Sequence, residues 1–404
     1  MHLSIPVQAC LRALTLAQAR SGRWAQHVCL TAGPDGVQLE SSDGLLALCV
    51  HLPEAHIWEE GQILLPSRQL QAALRPYALA SGQSVEIRES LGGVTLLIAD
   101  MRVKLTGEDP TPFPGMARHL AIPRSWRATV SAPALRSGQH QVLFAAAKER
   151  ACPAFQGVLC QFDVPAPGQL TLVTCDQFRM AIHTIHSPAV NVDQDAGQCP
   201  QDEGEPDGQA AGPQLLIPAT SLAALQRLLP RRRTVTIGAW PHGVLFQIEQ
   251  LELFSCLLPE TFPDYRAALP RTADMRARLE VEPFLRQLQA ARAFARERAN
   301  GVWLRFCSAA GGAQQQGQVS IMVGRPAASG EGEVDYTSTL ETTVEGADLA
   351  LLLNSEYLLE GLKRLPPTAV VDITGTVPFR PLVLTWCAPS STLTSLVMPM
   401  VQDR

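Results

Sequence analysis

The sequence predicts an α+β fold made of three tandem copies of one domain, and three observations support this. An apolar stretch, then Pro or Asn, then a helical pattern occurs at residues 63–74, 215–229 and 351–365. Spacings of 152 and 136 residues, from Pro66 to Pro218 and from Pro218 to Asn354, are those of a whole domain and not of a solenoid unit. Strand patterns outnumber helical ones, and short turns join neighbouring strands, which indicates antiparallel pairing.

The helices are predicted from apolar periodicity. Apolar residues from Val7 to Ala17 recur at the spacing of one helical face. Corresponding helices are predicted at about 133–148 and 282–298, each with a Pro near its start. Together with the helix of the repeated block, this gives two helices per domain, which we expect on one face of the sheet.

The strands are predicted between and after these helices. Residues 28–31 and 37–40 are joined by a turn sequence that contains Pro and Gly, which is typical of a hairpin. Their counterparts in the second copy are 158–162 and 170–174. Further strands close each copy, at 84–88 with 94–105, at 234–237 with 244–258, and at 369–373 with 382–398.

These patterns divide the chain into domains at 1–125, 126–270 and 271–404. One segment, 187–214, interrupts the second domain: it is rich in Pro, Gly, Gln and acidic residues and has no basic residue. Such a composition buries too little apolar surface to order itself, so we expect a disordered surface loop. A calcium loop is the alternative, but the EF-hand spacing is absent.

Composition restricts the function. The chain has 404 residues, a net charge of −5, 46% apolar residues and 18% charged residues. No apolar run is long enough to span a membrane, and the N-terminus lacks the pattern of a signal peptide, so we expect a cytoplasmic protein without a membrane partner. A negatively charged protein that meets nucleic acid must segregate its charges.

No pattern in the sequence indicates catalysis, a metal or a cofactor. Phosphate-loop, zinc-protease and serine-hydrolase motifs are absent, and none of the ten cysteines forms a C-x-x-C pair. The cysteines are expected to be small buried residues. His183 and His186 are expected at the surface, and Asp43 and Asp176, at matching places in two copies, are expected to form turns. We therefore predict no enzyme, no catalytic residue, no metal and no cofactor.

Three motifs suggest a family. The run Phe-Pro-Asp-Tyr-Arg at 262–266 with Leu-Pro at 269–270, the segment 173–181, and the tail Leu-Val-Met-Pro-Met at 396–400 resemble the bacterial sliding clamp, the beta subunit of DNA polymerase III. The resemblance covers the chain apart from the acidic segment. It implies three tandem DNA-clamp domains with antiparallel sheets outside and two helices per domain inside, in a head-to-tail dimeric ring.

The resemblance also implies function and partners. The expected protein is a non-catalytic processivity factor of DNA replication, part of a holoenzyme that also carries a 3'-5' exonuclease. It encircles double-stranded DNA without sequence specificity, pairs with itself as a homodimer, and binds the DNA polymerase III alpha subunit and the clamp loader through short peptide motifs.

Helix-borne cations are the candidate DNA contacts. A clamp holds DNA by topology, so its inner surface needs phosphate attraction without base recognition. Arg23 resembles a DNA-contacting arginine of the family, whereas Ala219 and Thr220 replace a basic pair. The candidate DNA-binding residues are Arg12, Arg20, Arg23, Arg68, Arg75, Lys148, Arg150, Arg227, Arg292, Arg296 and Lys363.

The resemblance places a peptide pocket between the second and third domains. Its methionine and aromatic residues suit a groove that accepts several related peptides. Gln177 and Phe178 replace Gly-His, and Ala267 replaces an arginine, so we hypothesise an altered peptide preference. The pocket residues are Phe155, Cys175, Gln177, Phe178, Arg179, Met180, Pro263, Ala267, Ala268, Leu396, Val397, Met398, Pro399 and Met400.

The resemblance places the dimer contact between an edge strand of one subunit and a helix of the other subunit. Pairing an edge strand across subunits removes an aggregation hazard. Val103 and Ala293 are smaller than the usual family residues. The candidate interface residues are Arg102, Val103, Lys104, Leu105, Ala293 and Phe294.

Two other functions remain open. A divergent accessory clamp-like protein would bind partner peptides without encircling DNA, in line with the altered pocket and the missing basic pair. A hydrolase with an unrecognised site has no support from any residue. The trimeric clamp of eukaryotes is disfavoured, since it has two domains per chain.

Overall fold

The computed structural model describes residues 1–17, 24–80, 82–90, 92–120, 126–148, 152–162, 168–186, 191–193, 213–308, 316–324 and 334–401. The chain forms two compact units. Unit 1 comprises the described parts of Met1–Pro133, Ala189–Gly208 and Ala224–Leu257, and unit 2 those of Ala134–Pro188, Gln209–Ala223 and Leu258–Arg404.

The same order of elements occurs three times along the chain. The first copy consists of β1 (His2–Pro6), α1 (Val7–Leu16), β2 (His27–Gly33), β3 (Gly36–Ser42), β4 (Leu46–Leu52), β5 (His56–Glu59), β6 (Gly61–Pro66), α2 (Ser67–Leu74), β7 (Ser84–Ser90), β8 (Gly93–Ile98) and β9 (Met101–Thr106), followed by the short α3 (Ala117–Leu120).

The second copy repeats this order. It consists of β10 (Trp126–Ser131), α4 (Ala132–Val142), β11 (Gly157–Phe162), β12 (Gln169–Cys175), β13 (Arg179–His186), β14 (Asn191–Asp193), β15 (Gln214–Pro218), α5 (Ala219–Leu228), β16 (Thr234–Trp240), β17 (Gly243–Ile248) and β18 (Leu251–Cys256).

Among the described residues, the third copy differs in one long strand, β22, which stands where the first copy has β4 and β5. Its elements are β19 (Met275–Glu280), α6 (Val281–Ala295), β20 (Gly301–Ser308), β21 (Gln316–Gly324), β22 (Val334–Gly346), β23 (Leu349–Asn354), α7 (Ser355–Leu362), β24 (Val370–Gly375), β25 (Leu382–Ala388) and β26 (Ser391–Val397).

The strands form three sheets, and every ladder described is antiparallel, as the sequence predicts. A five-stranded sheet has the order β5-β1-β7-β8-β9. A nine-stranded sheet joins the first two copies where β18 pairs with β4, and we call this ladder the first seam. A twelve-stranded sheet joins the last two copies where β13 pairs with β26, which is the second seam. The first seam lies in unit 1 and the second in unit 2.

Apolar periodicity explains the helices. In α6, Val281, Phe284, Leu288, Ala291 and Ala295 are buried at intervals of three or four residues, which is one helical face. Helix α6 packs on α7 and on β20, β21 and β22, whereas α1 packs on α2. The predicted apolar face of α1 is confirmed, since its inward residues are buried.

The start of α7 explains why Asn354 replaces the Pro of the other copies. Its side-chain oxygen accepts a hydrogen bond from the Glu356 backbone N–H, at 2.9 Å. This N-cap satisfies an amide that has no partner inside the helix. Pro66, at the same place before α2, makes no side-chain cap.

Several predicted boundaries are wrong. Helices α4 and α6 end earlier than predicted, and 3₁₀ turns at Leu143–Ala145 and Arg296–Arg298 follow them. The stretches 94–105, 244–258 and 382–398 are each a hairpin and not one strand. In the first two, Ala99 and Glu249 turn the chain with φ of 48° and 53°, which is unusual for residues other than Gly and therefore hard to foresee.

The expected surface position of His183 is wrong. It lies on β13, a central strand of the twelve-stranded sheet, and is 1% exposed. Burial is the main cause that lowers the pKa of His183 to about 4. His186, at the end of the same strand, is half-buried and bonds to Thr392 Oγ1 at 2.9 Å.

The cysteines follow the prediction in part. Cys10, Cys29, Cys49, Cys160 and Cys175 are buried. Cys387 is exposed, and three others are half-buried, because they lie near strand ends or in connecting segments. Cys199 and most of the acidic segment 187–214 lie outside the described residues. None of the described helices is long and apolar enough to cross a membrane.

Candidate functional site

Three chain segments of unit 2 meet beside the second seam. In this ladder Arg179 lies opposite Val397, and Met180 lies opposite Leu396. The ladder continues beyond the strand, since the Met398 N–H donates to the Phe178 carbonyl oxygen at 2.8 Å. Sequence positions more than 200 residues apart are thus neighbours, as the resemblance predicts for the pocket.

An apolar floor lies where these segments meet. Cys175, Met180 and Leu396 are buried in one cluster that also contains Tyr265. Phe155 packs against this cluster and contacts Phe262 edge to face, with ring centres 6.0 Å apart. The predicted members Phe155, Cys175, Met180 and Leu396 are therefore brought together.

The Phe-Pro-Asp-Tyr motif anchors the connecting segment on this floor. The Tyr265 hydroxyl donates to Gln161 Oε1 at 2.8 Å in a buried position. Asp264 caps a short 3₁₀ turn by accepting a hydrogen bond from the Arg266 N–H at 3.1 Å. Pro263, Ala267 and Ala268 follow the same path and stay exposed at the rim.

The turn between β12 and β13 confirms the interpretation of its aspartate. Asp176 Oδ1 accepts hydrogen bonds from the N–H groups of Phe178 and Arg179, at 3.2 and 3.0 Å. Asp43 accepts the two corresponding hydrogen bonds in the first copy. Both aspartates therefore shape turns, in the way short polar side chains commonly do.

Gln177 occupies a backbone conformation that favours glycine. Its φ is 77°, and the equivalent residue of the first copy is Gly44, with a φ of 92°. A side chain at positive φ is strained because its Cβ crowds the backbone. The Gln177 amide lies 2.9 Å from the Cys152 sulfur, so this side chain is directed along the turn and remains exposed.

Arg179 fixes the turn to helix α7. Its side chain is 7% exposed, and Nε donates to Asp176 Oδ2 at 2.8 Å, while a terminal nitrogen donates to Glu360. The guanidinium lies over the ring of Tyr357, 4.5 Å from its centre. It also lies 5.4 Å from the Phe144 ring centre. Sequence reasoning missed Phe144, Tyr357 and Glu360, since they reach Arg179 only through the packing of α7 and of the 3₁₀ turn Leu143–Ala145 against the sheet.

Exposed apolar side chains form a rim above the floor. Phe178 is 56% exposed and Met398 is 39% exposed, although both are large and apolar. Phe178 stacks on Tyr357 with ring centres 6.4 Å apart. Pro399 and Met400 continue the rim, and the Met400 N–H donates to the Leu352 carbonyl. Such a rim over a buried floor suits the apolar side chains of a short peptide.

A groove next to this rim has about 320 Å³ of space open to solvent. It lies between α7 and strands β24, β25 and β26 in unit 2. Its lining is apolar and includes Tyr357, Leu358, Leu362, Trp386, Leu393 and Val397. The groove shares Val397 with the predicted pocket and adds residues that the sequence did not indicate.

The predicted DNA contacts divide into exposed, paired and undescribed residues. Arg292 is half-buried and donates to Glu356, so its charge is partly neutralised. Arg20, Arg23 and Arg150 lie outside the described residues. The exposed members are Arg12, Arg68, Arg75, Lys148, Arg227, Arg296 and Lys363.

The predicted interface strand is β9, and it is an edge of the five-stranded sheet. Arg102 and Lys104 are exposed, Val103 is half-buried, and Leu105 is buried. On α6, Ala293 and Phe294 are exposed, and Phe294 stacks on Tyr336 with ring centres 5.6 Å apart.

Comparison with known proteins agrees with this geometry. No family model matches the sequence. The beta sliding clamp of Staphylococcus aureus strain Mu50 is 22% identical over 374 residues, covering 90% of this chain and 88% of the relative. That of Bacillus subtilis strain 168 is 22% identical over 384 residues, covering 92% and 90%.

Solved structures give the same answer for the fold. The sliding clamp of Bacillus subtilis matches with a TM-score of 0.80 at 20% identity, over 100% of both chains. The DNA polymerase III subunit beta of Pseudomonas aeruginosa matches with a TM-score of 0.80 at 20% identity, over 99% of this chain and 100% of the other. The chain has the fold of the bacterial beta sliding clamps and is homologous to them. The resemblance predicted from three short motifs is thereby confirmed.

Proposed function

We propose that this protein is a DNA sliding clamp: a non-catalytic homodimeric ring that encircles duplex DNA and tethers the replicative polymerase. The observation that carries the proposal is the pair of seams. In each seam, the last strand of one copy pairs with the fourth strand of the copy before it: β18 pairs with β4, and β26 pairs with β13. The last strand of the first copy, β9, would make a third pairing of the same kind with a second chain.

The strands that would form the missing seam are β9 and β22. Strand β9 ends the first copy as β18 and β26 end the others, and it is a sheet edge. Strand β22 stands where β4 and β13 stand in their copies. On the side away from β21, β19 pairs only with residues 343–346 of β22, so residues 334–342 keep a free edge among the described residues.

The two edges carry opposite charges. β9 presents the exposed cations Arg102 and Lys104, whereas β22 presents the exposed acids Glu341 and Asp335, the latter also paired with Arg298. If β9 of one chain pairs with β22 of a second chain, the twofold operation that relates the chains also pairs β22 of the first with β9 of the second. The assembly then closes with twofold symmetry. Phe294, beside Tyr336 of β22, then lies near the new seam. We propose this pairing in addition to the helix contact expected from the resemblance.

The exposed cations support the DNA part of the proposal. The net charge is −5, so attraction to phosphates has to come from a segregated set of basic residues. Arg12, Arg68, Arg227 and Arg296 lie on or directly after helices and are exposed. Arginines at such positions contact phosphates without reading bases, which is what sliding requires.

The rim and floor beside the second seam support the partner part. We propose that they bind short peptides of the DNA polymerase III alpha subunit and the clamp loader. A sliding clamp from Pseudomonas aeruginosa with the same fold is bound to griselimycin. We also propose a cytoplasmic location and a division into domains at 1–125, 126–270 and 271–404.

The mass in solution tests the ring. At low protein concentration we expect about twice the chain mass of 43.7 kDa. The double variant Arg102→Glu, Lys104→Glu places like charges opposite Asp335 and Glu341 and should give single chains. The control Arg305→Glu changes an exposed arginine of β20 in the same sense and should stay dimeric. A single-chain mass for the unchanged protein contradicts the ring.

Retention on DNA separates the clamp from the accessory clamp-like protein. Loaded on nicked circular DNA, a ring remains bound and is lost after linearisation, because it slides off the ends. The alternative is favoured by Ala219 and Thr220, which replace a basic pair of the family, and by Gln177 and Phe178 at the pocket. A protein that binds the peptides but is never retained on the circle would support that alternative.

A further inference from the structure

A row of polar side chains crosses the first seam on one face of the nine-stranded sheet. Glu40 on β3 lies opposite Cys49 on β4, and Cys49 lies opposite Glu252 on β18. Gln247 on β17 lies opposite Glu252 and continues the row. His51, two residues beyond Cys49, is on the same face of β4 because side chains alternate along a strand.

Three of these residues converge. The Cys49 sulfur, a His51 ring nitrogen and a Glu252 carboxylate oxygen all lie within 4.8 Å of one another. His51 Nε2 is 3.4 Å from Glu252 Oε2. Cys49 is 3% exposed, whereas the side chains of His51 and Glu252 are 32% and 21% exposed. The thiol is thus buried beneath two ligand-type groups that solvent can reach.

The second seam shows that the fold does not require this polarity. The turns at Asp43 and Asp176 align the two copies, so Glu40, Cys49 and His51 correspond to Val173, Ile182 and Thr184. Val173 and Ile182 are buried apolar residues. Apolar packing of Val173 and Ile182 therefore fills, in the second seam, two positions that Glu40 and Cys49 hold in the first, whereas Thr184 and Thr394, at the positions of His51 and Glu252, offer hydroxyl groups in place of an imidazole and a carboxylate.

We propose that Cys49, His51 and Glu252 bind a divalent transition-metal ion of the zinc class, which fastens β18 to β4. Thiolate, imidazole and carboxylate are the ligands zinc takes in proteins, and three of them leave a fourth position for water. The soft sulfur disfavours calcium and magnesium, which prefer oxygen ligands alone.

Neighbouring groups are placed to support the ion. Gln247 Nε2 donates to Glu252 Oε1 at 2.8 Å, which leaves Oε2 directed at His51. Such outer hydrogen bonds orient metal ligands. Binding releases the Cys49 proton to solvent as the thiolate forms, and no electron is transferred. The ion would link strands from two copies that are about 200 residues apart in sequence.

The experiment uses the full chain, freed of metal by a chelator and then titrated with Co²⁺. We expect roughly one ion per chain and a near-ultraviolet band from thiolate-to-cobalt charge transfer, which Zn²⁺ removes by displacement. Cys49→Ser should abolish the band. Cys387→Ser, which changes an exposed cysteine of β25, should leave it unchanged.

Glu252→Gln keeps the test valid if Cys49→Ser does not fold, since it preserves the shape of the side chain. We expect its Zn²⁺ affinity to fall roughly tenfold or more. Zn²⁺ should raise the Tm of the unchanged protein and have a smaller effect on Glu252→Gln. A cobalt spectrum without the thiolate band, or equal affinity in the two proteins, would overturn the proposal.

Discussion

The two seams have the same architecture but carry different side chains on one face. Each joins the last strand of one copy to the preceding copy, and a segment with a Phe-Pro pair crosses one face of each. Phe113 packs beside Cys29 of β2 and Leu64 of β6 in the sheet of the first seam, and Phe262 packs on the floor of the second seam. On that face the first seam carries the row from Glu40 to Gln247 beside a small apolar cluster that includes Cys49 and Met116, whereas the second carries an apolar floor with an exposed aromatic rim.

The seams share their backbone pairing and differ in the side chains that are proposed to bind ligands. Backbone ladders form both seams, so the side chains on that face are free to differ. In the second seam the face is apolar and is proposed to bind peptides. In the first, it is proposed to bind an ion. Variants that disturb one seam and spare the other test this separation.

The largest effect is expected from Arg179→Ala in the second seam. It leaves Asp176 and Glu360 without their partner and removes the cation from the Tyr357 ring. Breaking a buried ion pair costs roughly 3–5 kcal/mol, and since Glu360 is 41% exposed we expect about 3 kcal/mol. Thermal or urea unfolding measures the loss, and peptide affinity should fall with it.

The control for this variant is Arg278→Ala. Arg278 pairs with Asp372 at 3.5 Å, but both side chains are more than half exposed. Exposed pairs contribute little, so a loss below about 1 kcal/mol is expected. Equal losses in the two variants would show that burial of Arg179 has no special role.

The next effect concerns the pH dependence of the first seam. Burial, followed by repulsion from Glu252, raises the pKa of Glu40 from 4.5 to about 7. The folded state therefore holds a proton that the unfolded state loses near pH 4.5. The part of the unfolding free energy that depends on protonated Glu40 is fully present below pH 4.5 and is lost as pH rises through 7.

Glu40→Gln should remove that loss. Measured in chelator at pH 8 to 9, the variant should be more stable than the unchanged protein by about 2 kcal/mol, and the gain should vanish near pH 4. Glu54→Gln, at an exposed site between β4 and β5, should shift stability by less than about 0.5 kcal/mol at either pH. A gain that is independent of pH would refute the assignment.

A smaller effect is expected from Tyr265→Phe at the second seam. The change leaves Gln161 Oε1 buried without its donor, which costs about 1–2 kcal/mol of unfolding free energy. Tyr336→Phe removes a longer hydrogen bond, 3.2 Å to the Gln287 carbonyl, at a half-buried site and should cost less. The reverse order, measured by urea unfolding, would contradict the anchoring role of Tyr265.

The smallest effect is expected at the turn that precedes each seam strand. Gln177→Gly places glycine where φ is 77° and should stabilise the protein by about 0.5–1 kcal/mol. Gly44→Gln makes the opposite change in the first copy and should destabilise. If both changes destabilise, contacts of the Gln177 side chain outweigh the backbone strain.

The sequence by itself determined the local features of this protein. Periodicity identified the inward face of α1, the matching positions of Asp43 and Asp176 indicated turns, and the Phe-Pro-Asp-Tyr run pointed to the family. These features depend on residues a few positions apart, where spacing alone fixes which side chains share a face. The floor residues Cys175, Met180 and Leu396 were reached through the resemblance.

The tertiary structure alone decided which distant side chains meet. Arg179 with Glu360, and Cys49 with Glu252, are pairs that no spacing indicates, because strand register and helix packing over long sequence distances bring them together. The same holds for His183. The sequence analysis expected it at the surface, but it is buried because it lies on a central strand. Burial and partnership depend on the whole sheet, whereas helical faces and turns depend only on neighbouring residues.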